Sequence, residues 1–289
     1  MLEVLETGPL ATVQDLGRPG LADIGVGVSG AADRGSLRLA NRLLGNDEGA
    51  AAIEVTFGGL AVRAGRDLTI AVTGAPCPVT VDGRGEGANA VLRVAAGEEV
   101  RLGAPPCGLR SYLAVRGGID VEPVLGSRST DVMAGIGPAA LRVGDTLPVG
   151  PAPAAFPVVD LAPVAPPPED LVLDVVPGPR EDWFTGEALE VLLTSVYEVT
   201  TESNRVGMRL DGPALTRSRS DELPSEGMVA GALQVPPASK PTLFLADHPV
   251  TGGYPVIAVV TSADVDRAAQ ARPGQRVRFR RAQDRSAKR

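Results

Sequence analysis

The sequence is poor in aromatic residues, histidine and cysteine, and each shortage excludes a class of site. Aromatic side chains make up only 3% of the 289 residues, so the core must be built mainly from valine, leucine, isoleucine and alanine. The single histidine, His248, excludes a metal site with several histidine ligands. Cys77 and Cys107 have neither a metal-binding spacing nor the pattern of a disulfide framework, which favours a reducing compartment. We therefore expect a cytoplasmic protein without a metal site.

Several functional motifs are also missing. The chain has no GxxxxGK[ST] sequence and no G-x-S-x-G sequence, which excludes a P-loop nucleotide site and a serine-hydrolase nucleophile turn. It has no apolar run of about 18 residues and no secretory signal pattern at its start, so no membrane partner is expected. The net charge of −7 argues against a nucleic-acid partner.

Glycine and proline are abundant and predict many turns and short strands. The chain contains 35 glycines and 26 prolines, and 44% of its residues are hydrophobic. A glycine turn followed by alternating apolar residues recurs at 64–72, 96–103, 143–150 and 273–280. This pattern predicts a mainly β fold, closed as a barrel or stacked as a sandwich.

A proline-rich segment divides the chain. Residues 148–170 contain eight prolines, which is typical of a semi-rigid linker or a surface strap. We predict a first domain at 1–150, a linker at 151–170, a second domain at 171–280 and a basic tail at 281–289. Each half has an opening strand, a loop, a helix and further strands, which is consistent with a duplicated β unit.

The helices are predicted from apolar periodicity and from capping residues. The clearest runs from Asp33 to Leu44, with Gly45 at its C-terminal end. A second is expected at 186–193 and a third at 263–271, the latter with a capping box formed by Thr261 and Asp264. The start of the first helix, with Ser29 and Asp33, is either an anion site or simply a capped terminus.

Three further stretches are rich in polar residues. The glycine-rich loop that contains Gln14, Asp15 and Arg18 is either a meander of turns or part of a site. In the stretch 203–209, alternation places Arg205 and Arg209 on one strand face, where they either bind an anion or are solvated.

The third stretch, Ser225–Val260, reads as strand, turn, strand, glycine loop and strand. A glycine pair between buried strands is typical of a close approach by a ligand or by another backbone segment. His248 is a turn residue in the simpler interpretation, and an acid or base beside Asp247 in the other. The polar residues of this stretch are Ser225, Glu226, Gln234, Asp247, Thr251, Gly252, Gly253 and Tyr254.

Six motifs, in order, resemble one known family. They are GPLATVQDLGRPG, VSGAADRGSLRLANRLLGN, IEVTFGGL, SNRVGMRLDGP, SEGMVAGALQVPP and TGGYPVIAVV. Together they are similar to the biotin-dependent carboxyltransferase, or allophanate hydrolase subunit 2, family over nearly all of residues 1–280. The sequence departs from the family pattern at Asp247–Thr251, where Asp-Arg-Gln-Thr-Thr is frequent, and at Gly58-Gly59, where Gly-Pro is common.

The resemblance implies a fold and a set of partners. The fold is two cyclophilin-like β-barrel domains, each with one or two short helices. The implied function is that of one subunit of an ATP-dependent 5-oxoprolinase, which opens 5-oxoproline to glutamate. Its partners are a subunit that resembles allophanate hydrolase subunit 1, or KipI, and a LamB/YcsF-like subunit, and ATP is used by the complex.

Two alternatives stay open. In the first, the chain transfers a carboxyl group from carboxybiotin to a urea-like amide, and biotin is a cofactor only in that case. In the second, it is a non-catalytic protein that antagonises a KipI-like regulator.

We expect the candidate residues to bind a small amide or carboxylate in one cleft. The predicted catalytic residues are Asp33, Glu226 and Asp247. The predicted ligand-binding residues are Ser29, Asn204, Arg205, Arg209, Ser225, Gln234, Thr251, Gly252, Gly253 and Tyr254.

Overall fold

The structure, a computed structural model, describes residues 1–283, and the predicted basic tail lies outside the described residues from position 284 onward. The chain folds as two compact units. The first unit contains Met1–Asp23 and Val28–Pro167, and the second contains Ile24–Gly27 and the chain from Pro168. Within the described part of the chain, no helix has both the length and the apolar composition needed to cross a membrane.

The first unit is built from eleven strands in two sheets. The six-stranded sheet has the order β11-β1-β4-β9-β6-β7, and the five-stranded sheet has the order β2-β3-β10-β5-β8. The strands are β1 (Leu2–Thr7), β2 (Leu10–Gln14), β3 (Ala52–Thr56), β4 (Leu60–Ala64), β5 (Leu68–Gly74), β6 (Val79–Val81), β7 (Arg84–Glu86), β8 (Val91–Val94), β9 (Glu99–Leu102), β10 (Arg110–Val115) and β11 (Thr146–Leu147).

The two sheets enclose one aliphatic core. Alternate residues of the strands point into it, among them Val62, Ile70 and Val100, as expected for sheets with one buried face. The strand β10 is buried along its whole length because it pairs with β3 on one side and β5 on the other, and the helix α1 contacts it. Each predicted glycine turn in this unit leads into a strand, namely β5, β9 and β11.

The helix α1 (Arg34–Leu44) follows from local capping, as the sequence predicts. Asp33 is the N-cap, and its carboxylate accepts a hydrogen bond from the backbone N–H of Ser36 at 2.9 Å. At the other end, Gly45 has φ +66°, a left-handed conformation that glycine adopts without a steric penalty. The buried face, which includes Leu37, packs on the five-stranded sheet.

The proline-rich segment lies along the first unit. Residues 151–167 contain no helix or strand, and Leu161 makes a β-bridge with Ala90. Arg116 donates hydrogen bonds to the carbonyl oxygens of Pro153 and Ala155, and its guanidinium lies 3.9 Å from the centre of the Phe156 ring. These contacts hold the segment as a strap on this unit.

The second unit contains a closed seven-stranded barrel in the order β12-β19-β16-β17-β14-β13-β20, together with a separate pair, β15 and β18. Its strands are β12 (Leu171–Pro177), β13 (Tyr197–Val199), β14 (Gly207–Asp211), β15 (Glu226–Gly227), β16 (Ala232–Gln234), β17 (Thr242–Phe244), β18 (Thr251–Gly252), β19 (Val256–Val260) and β20 (Arg276–Arg281). Its helices are α2 (Ala188–Thr194), α3 (Ser262–Ala268) and a short 3-10 helix at Glu181–Trp183. A further 3-10 helix, Ala22–Ile24, begins in the first unit and ends in the second.

The prediction of a mainly β fold with a barrel is confirmed. The strands close a ring in the second unit, while in the first unit they form the two sheets described above. The predicted capping box of the third helix is wrong, because the side chain of Thr261 makes no capping hydrogen bond. The carboxylate of Asp264 instead accepts hydrogen bonds from the backbone N–H of Asp174 at 2.6 Å and from Arg267 at 2.7 Å.

Candidate functional site

Three polar side chains form a row across neighbouring strands of the barrel. Arg209 on β14 lies opposite Thr242 on β17, and Thr242 lies opposite Gln234 on β16. Side chains at directly paired positions are about 5 Å apart and share one face of the sheet. The next residues along these strands, Met208, Leu233 and Leu243, belong to the barrel core, so the row lies on the outer face.

A pocket of about 280 Å³ opens over this row. Four of the predicted ligand-binding residues line it together with six residues that were not predicted. The lining consists of Glu202, Asn204, Val206, Gly207, Arg209, Gln234, Pro236, Thr242, Phe244 and Tyr254. The pocket therefore combines carboxamide, hydroxyl and guanidinium groups with an apolar and aromatic wall, which is the usual composition of a small-molecule site.

The carboxamide of Gln234 is held in a fixed position. Its Nε2 donates a hydrogen bond to the carbonyl oxygen of Tyr254 at 3.1 Å, and the side chain is almost fully buried. A Cβ atom at position 252 would lie 2.6 Å from this Nε2 and 3.2 Å from Cγ of Met228. A side chain at position 252 would therefore displace the end of the Gln234 side chain, which gives one reason for a glycine in the Thr-Gly-Gly-Tyr motif.

The rim of the pocket carries the exposed charges. Arg209 forms an ion pair with Glu202 at 3.0 Å, and both side chains are largely exposed. Asn204 shapes the adjoining turn, because its Oδ1 accepts a hydrogen bond from the backbone N–H of Val206 at 2.8 Å. An exposed ion pair is weak, so Arg209 can exchange Glu202 for an anionic ligand at little cost.

The predicted placement of the two arginines on one face is wrong. Arg205 precedes β14, which begins at Gly207, and its side chain turns into the protein instead of alternating with Arg209. The guanidinium of Arg205 donates to Asp247 at 2.8 Å from Nε and 2.9 Å from Nη2. Both oxygens of Asp247 are engaged and the pair is fully buried, so it ties the turn before β14 to the segment after β17.

The strand pair β15 and β18 brings together residues from the two ends of the stretch that starts at Ser225. Glu226 lies opposite Gly252, and Gly227 lies opposite Thr251. Arg180 donates from Nε to both carboxylate oxygens of Glu226, at 2.8 and 3.0 Å. These hydrogen bonds lower the pKa of Glu226, so this carboxylate stays ionised at neutral pH and is a poor proton donor there.

The remaining predicted residues of this stretch have simpler environments. Ser225 and Thr251 are exposed, and Gly253 is half-buried next to Tyr254. Nδ1 of His248 lies 2.8 Å from the carbonyl oxygen of Pro249, and the His248 ring lies 6.2 Å from the Phe244 ring. This geometry is that of a turn residue.

Ser29 and Asp33 lie in the first unit, where Asp33 caps α1. The hydroxyl of Tyr112 accepts a hydrogen bond from the backbone N–H of Asp33 at 2.8 Å and donates one to Glu54 at 2.7 Å. Burial and the negative charge of Glu54 raise the pKa of Tyr112 well above its ordinary value, so its proton is retained. Of the two predicted interpretations of the start of α1, an anion site or a capped terminus, the hydrogen bonds of Asp33 support the capped terminus.

Sequence reasoning missed several residues around these sites. Thr242, Arg180, Glu54 and Tyr112 acquire their places from pairings between distant parts of the chain. Only Thr242 left a local signal, since it is the polar residue that alternates with buried Leu243.

A larger cavity of about 410 Å³ near Asp264 is lined by none of the predicted catalytic or ligand-binding residues. Arg280 in its wall is paired with Asp174 at 2.8 Å. No cluster of three metal-ligating side chains occurs among residues 1–283.

The comparison with protein families gives one extended match. The family model described as the carboxyltransferase domain, subdomain A and B, matches residues 24–281. This range includes every strand of the pocket and all but the first two strands of the first unit.

Individual proteins give matches over almost the whole chain. The chain is 38% identical to the 5-oxoprolinase C subunit of Escherichia coli strain K12, covering 96% of this chain and 90% of that protein. The crystal structure of TTHA0988 superposes with a TM-score of 0.87 at 36% identity, over 96% of this chain and 55% of the other. The crystal structure of the K. lactis urea amidolyase gives a TM-score of 0.90 at 31% identity, over 98% of this chain and 19% of the other.

Proposed function

The chain belongs to the carboxyltransferase domain family, and from this premise we propose that it is the C subunit of an ATP-dependent 5-oxoprolinase. In this proposal, the complex opens the lactam of 5-oxoproline to give glutamate. Its other subunits resemble allophanate hydrolase subunit 1 and LamB/YcsF proteins. The complex works in the cytoplasm, which the two free cysteines support because thiols persist in reducing compartments.

The observation that carries the proposal is a match that extends over both proteins. The alignment with the E. coli 5-oxoprolinase C subunit covers 90% of that protein, so the two chains correspond almost from end to end. The urea amidolyase is a much longer chain, of which this protein covers only 19%.

In the proposal, the outer-face pocket binds a small lactam that carries a carboxylate. In the proposal, the carboxamide of Gln234 and the hydroxyl of Thr242 bind the polar edge of the lactam, and Tyr254 packs on its apolar carbons. Arg209 leaves Glu202 and binds the carboxylate, an exchange favoured by the planar fork of the guanidinium. Asn204 completes the polar wall.

In the proposal, ATP binds to the partner subunits and not in this pocket. A triphosphate needs several cationic or backbone N–H donors, while this lining offers one arginine, already paired with the acidic Glu202. In the proposal, this chain therefore contributes to binding and positioning of 5-oxoproline, while other subunits bind ATP.

The alternative is a carboxyltransferase that acts on a urea-like amide, and the superposition with the K. lactis urea amidolyase favours it. The pocket lining is also compatible with the ureido ring of biotin, since Gln234 and Thr242 offer matching polar groups beside the ring of Tyr254. When bound, carboxybiotin would supply the carboxyl group that is transferred. The third prediction, that this chain is a non-catalytic antagonist of a KipI-like regulator, stays open.

A substrate comparison with the reconstituted subunits tests the proposal. We expect ATP consumption that depends on 5-oxoproline and matches glutamate formation, with no activity on urea and bicarbonate. ATP consumption driven by urea in the presence of a biotinylated carrier, without glutamate formation from 5-oxoproline, would transfer the assignment to the alternative.

A further inference from the structure

The glycine-rich loop after β2 buries an arginine that has no acidic partner in the described chain. Arg18 is 2% exposed, and its backbone N–H donates to the carbonyl oxygen of Val28 at 2.8 Å. Its Nη2 donates to the carbonyl oxygen of Ser129, while Nε and Nη1 are buried without a hydrogen-bond partner among the described residues. A buried guanidinium retains its charge, and a buried charge is costly unless an opposite charge compensates it.

The nearest acidic residue in sequence, Asp15, is already engaged. Its Oδ1 accepts hydrogen bonds from the hydroxyls of Ser127 at 2.6 Å and Ser129 at 2.5 Å. Its Oδ2 accepts from the backbone N–H of Arg128 at 2.6 Å. Asp15 therefore organises the segment 127–129 and makes no ion pair with Arg18 in the described structure.

Two further buried polar atoms, on β2 and on the segment that Arg18 contacts, also lack a partner within residues 1–283. These are Oε1 of Gln14 and the hydroxyl oxygen of Thr130, both buried. Gln14 is anchored through its Nε2, which donates to the carbonyl oxygen of Thr130 at 2.9 Å. Arg18 and Gln14 thus donate to the successive carbonyl oxygens of residues 129 and 130. N–H donors on a cation, one carboxamide acceptor and one hydroxyl remain to be satisfied on these side chains.

We propose that Arg18, Gln14 and Thr130 form a binding subsite for a small carboxylate that also carries an N–H or O–H donor. The carboxylate compensates the charge of Arg18 and accepts hydrogen bonds from its guanidinium. The donor of the ligand satisfies Oε1 of Gln14, and the hydroxyl of Thr130 bonds to either group. This subsite is built from the first unit alone and is separate in composition from the pocket of the second unit.

Two ligands have this chemistry. One is 5-oxoproline, with its lactam N–H, a choice that rests on the proposed function. The other is bicarbonate, with its O–H, which does not depend on that function. Two control ligands each lack one of the two groups. Acetate has a carboxylate but no N–H or O–H donor, and 2-pyrrolidinone is the lactam of 5-oxoproline without the carboxylate.

The first test observes Arg18 directly in the unmodified full-length chain. Arginine Nε–H signals are recorded by NMR, and the signal of Arg18 is assigned as the one lost in Arg18→Lys. We expect it to shift with 5-oxoproline or bicarbonate, weakly with acetate, and not with 2-pyrrolidinone. If no carboxylate shifts the Arg18 signal, only buried water occupies these atoms and the proposal is overturned. A shift with 2-pyrrolidinone as large as that with 5-oxoproline would also overturn it.

The second test uses variants and calorimetric titration. Arg18→Gln should weaken binding of the same carboxylate by at least about tenfold, with partial recovery in Arg18→Lys. Arg93→Gln, which changes an exposed arginine on β8, is the matched control. Unchanged affinity in a folded Arg18→Gln chain, or in Arg18→Lys if only that variant folds, would overturn the proposal.

The subsite and the proposed function fail in different ways. Binding of bicarbonate that depends on Arg18, in a complex that does not open 5-oxoproline, would remove the proposed function and keep the subsite. Turnover of 5-oxoproline in a complex whose Arg18→Gln chain binds 5-oxoproline and bicarbonate as tightly as the unmodified chain would keep the function and remove the subsite.

Discussion

Arg205 and Asp247 form a fully buried pair joined by two hydrogen bonds of 2.8 and 2.9 Å. The pair links the turn before β14 to the segment after β17, and these two strands carry Arg209 and Thr242 of the pocket. The pair therefore fixes two segments that adjoin pocket-lining strands.

Removing one member of this pair should destabilise the protein strongly. Asp247→Asn removes the carboxylate charge that accepts two hydrogen bonds from the buried guanidinium of Arg205, so we expect the free energy of unfolding to fall by about 3–5 kcal/mol. Urea denaturation measures this loss. Glu202→Gln breaks the exposed pair with Arg209 and should cost at most about 1 kcal/mol. Equal effects of the two substitutions would contradict a structural role for the buried pair.

Thr242→Val should weaken substrate binding without loss of stability. The substitution keeps the shape of the side chain and removes the hydroxyl at the centre of the polar row. We expect the KM of the reconstituted enzyme for 5-oxoproline to rise about fivefold to tenfold, the loss of one hydrogen bond. Thr216→Val, at an exposed position of the same unit, is the control. An identical KM for both variants would remove Thr242 from the site.

Gly252→Ala should disturb the pocket through Gln234. The added methyl group would lie 2.6 Å from Nε2 of Gln234, so the carboxamide must move and its hydrogen bond to Tyr254 is lost. We expect a higher KM for 5-oxoproline. The matched control is Gly227→Ala on the paired strand, because no described atom lies within 4 Å of the added methyl group there. Kinetic parameters that match between the two alanine variants would contradict this arrangement.

The contribution of Arg180 to stability should depend on pH. The pKa of Glu226 is lowered from 4.5 by its hydrogen bonds to Arg180, so the unfolded chain binds more protons in the acid range. The stabilisation is therefore complete above about pH 4.5 and disappears as the pH falls through the lower pKa of the folded state. The urea midpoint of Arg180→Gln should lie below that of the unmodified chain at neutral pH, and the difference should shrink below about pH 4.5. A difference that grows on acidification would contradict the assignment.

Local features were predictable from the sequence, and long-range pairings were not. The helix α1 follows from Asp33, Gly45 and apolar periodicity, all within one segment. A close approach at Gly252 was predictable because glycines between buried strands are typical of one. Thr242 owes its role to the register of three strands, and Arg180 meets Glu226 across 46 positions. Strand alternation also misled the prediction for Arg205, because the strand starts two residues later.

The most direct test of the account is glutamate formation from 5-oxoproline and ATP by the reconstituted subunits, with and without this chain. We predict ATP-dependent glutamate release only when the chain is present, restored by the unmodified chain and poorly by the Gly252→Ala variant. Undiminished glutamate release in the absence of this chain would contradict its assignment to a 5-oxoprolinase.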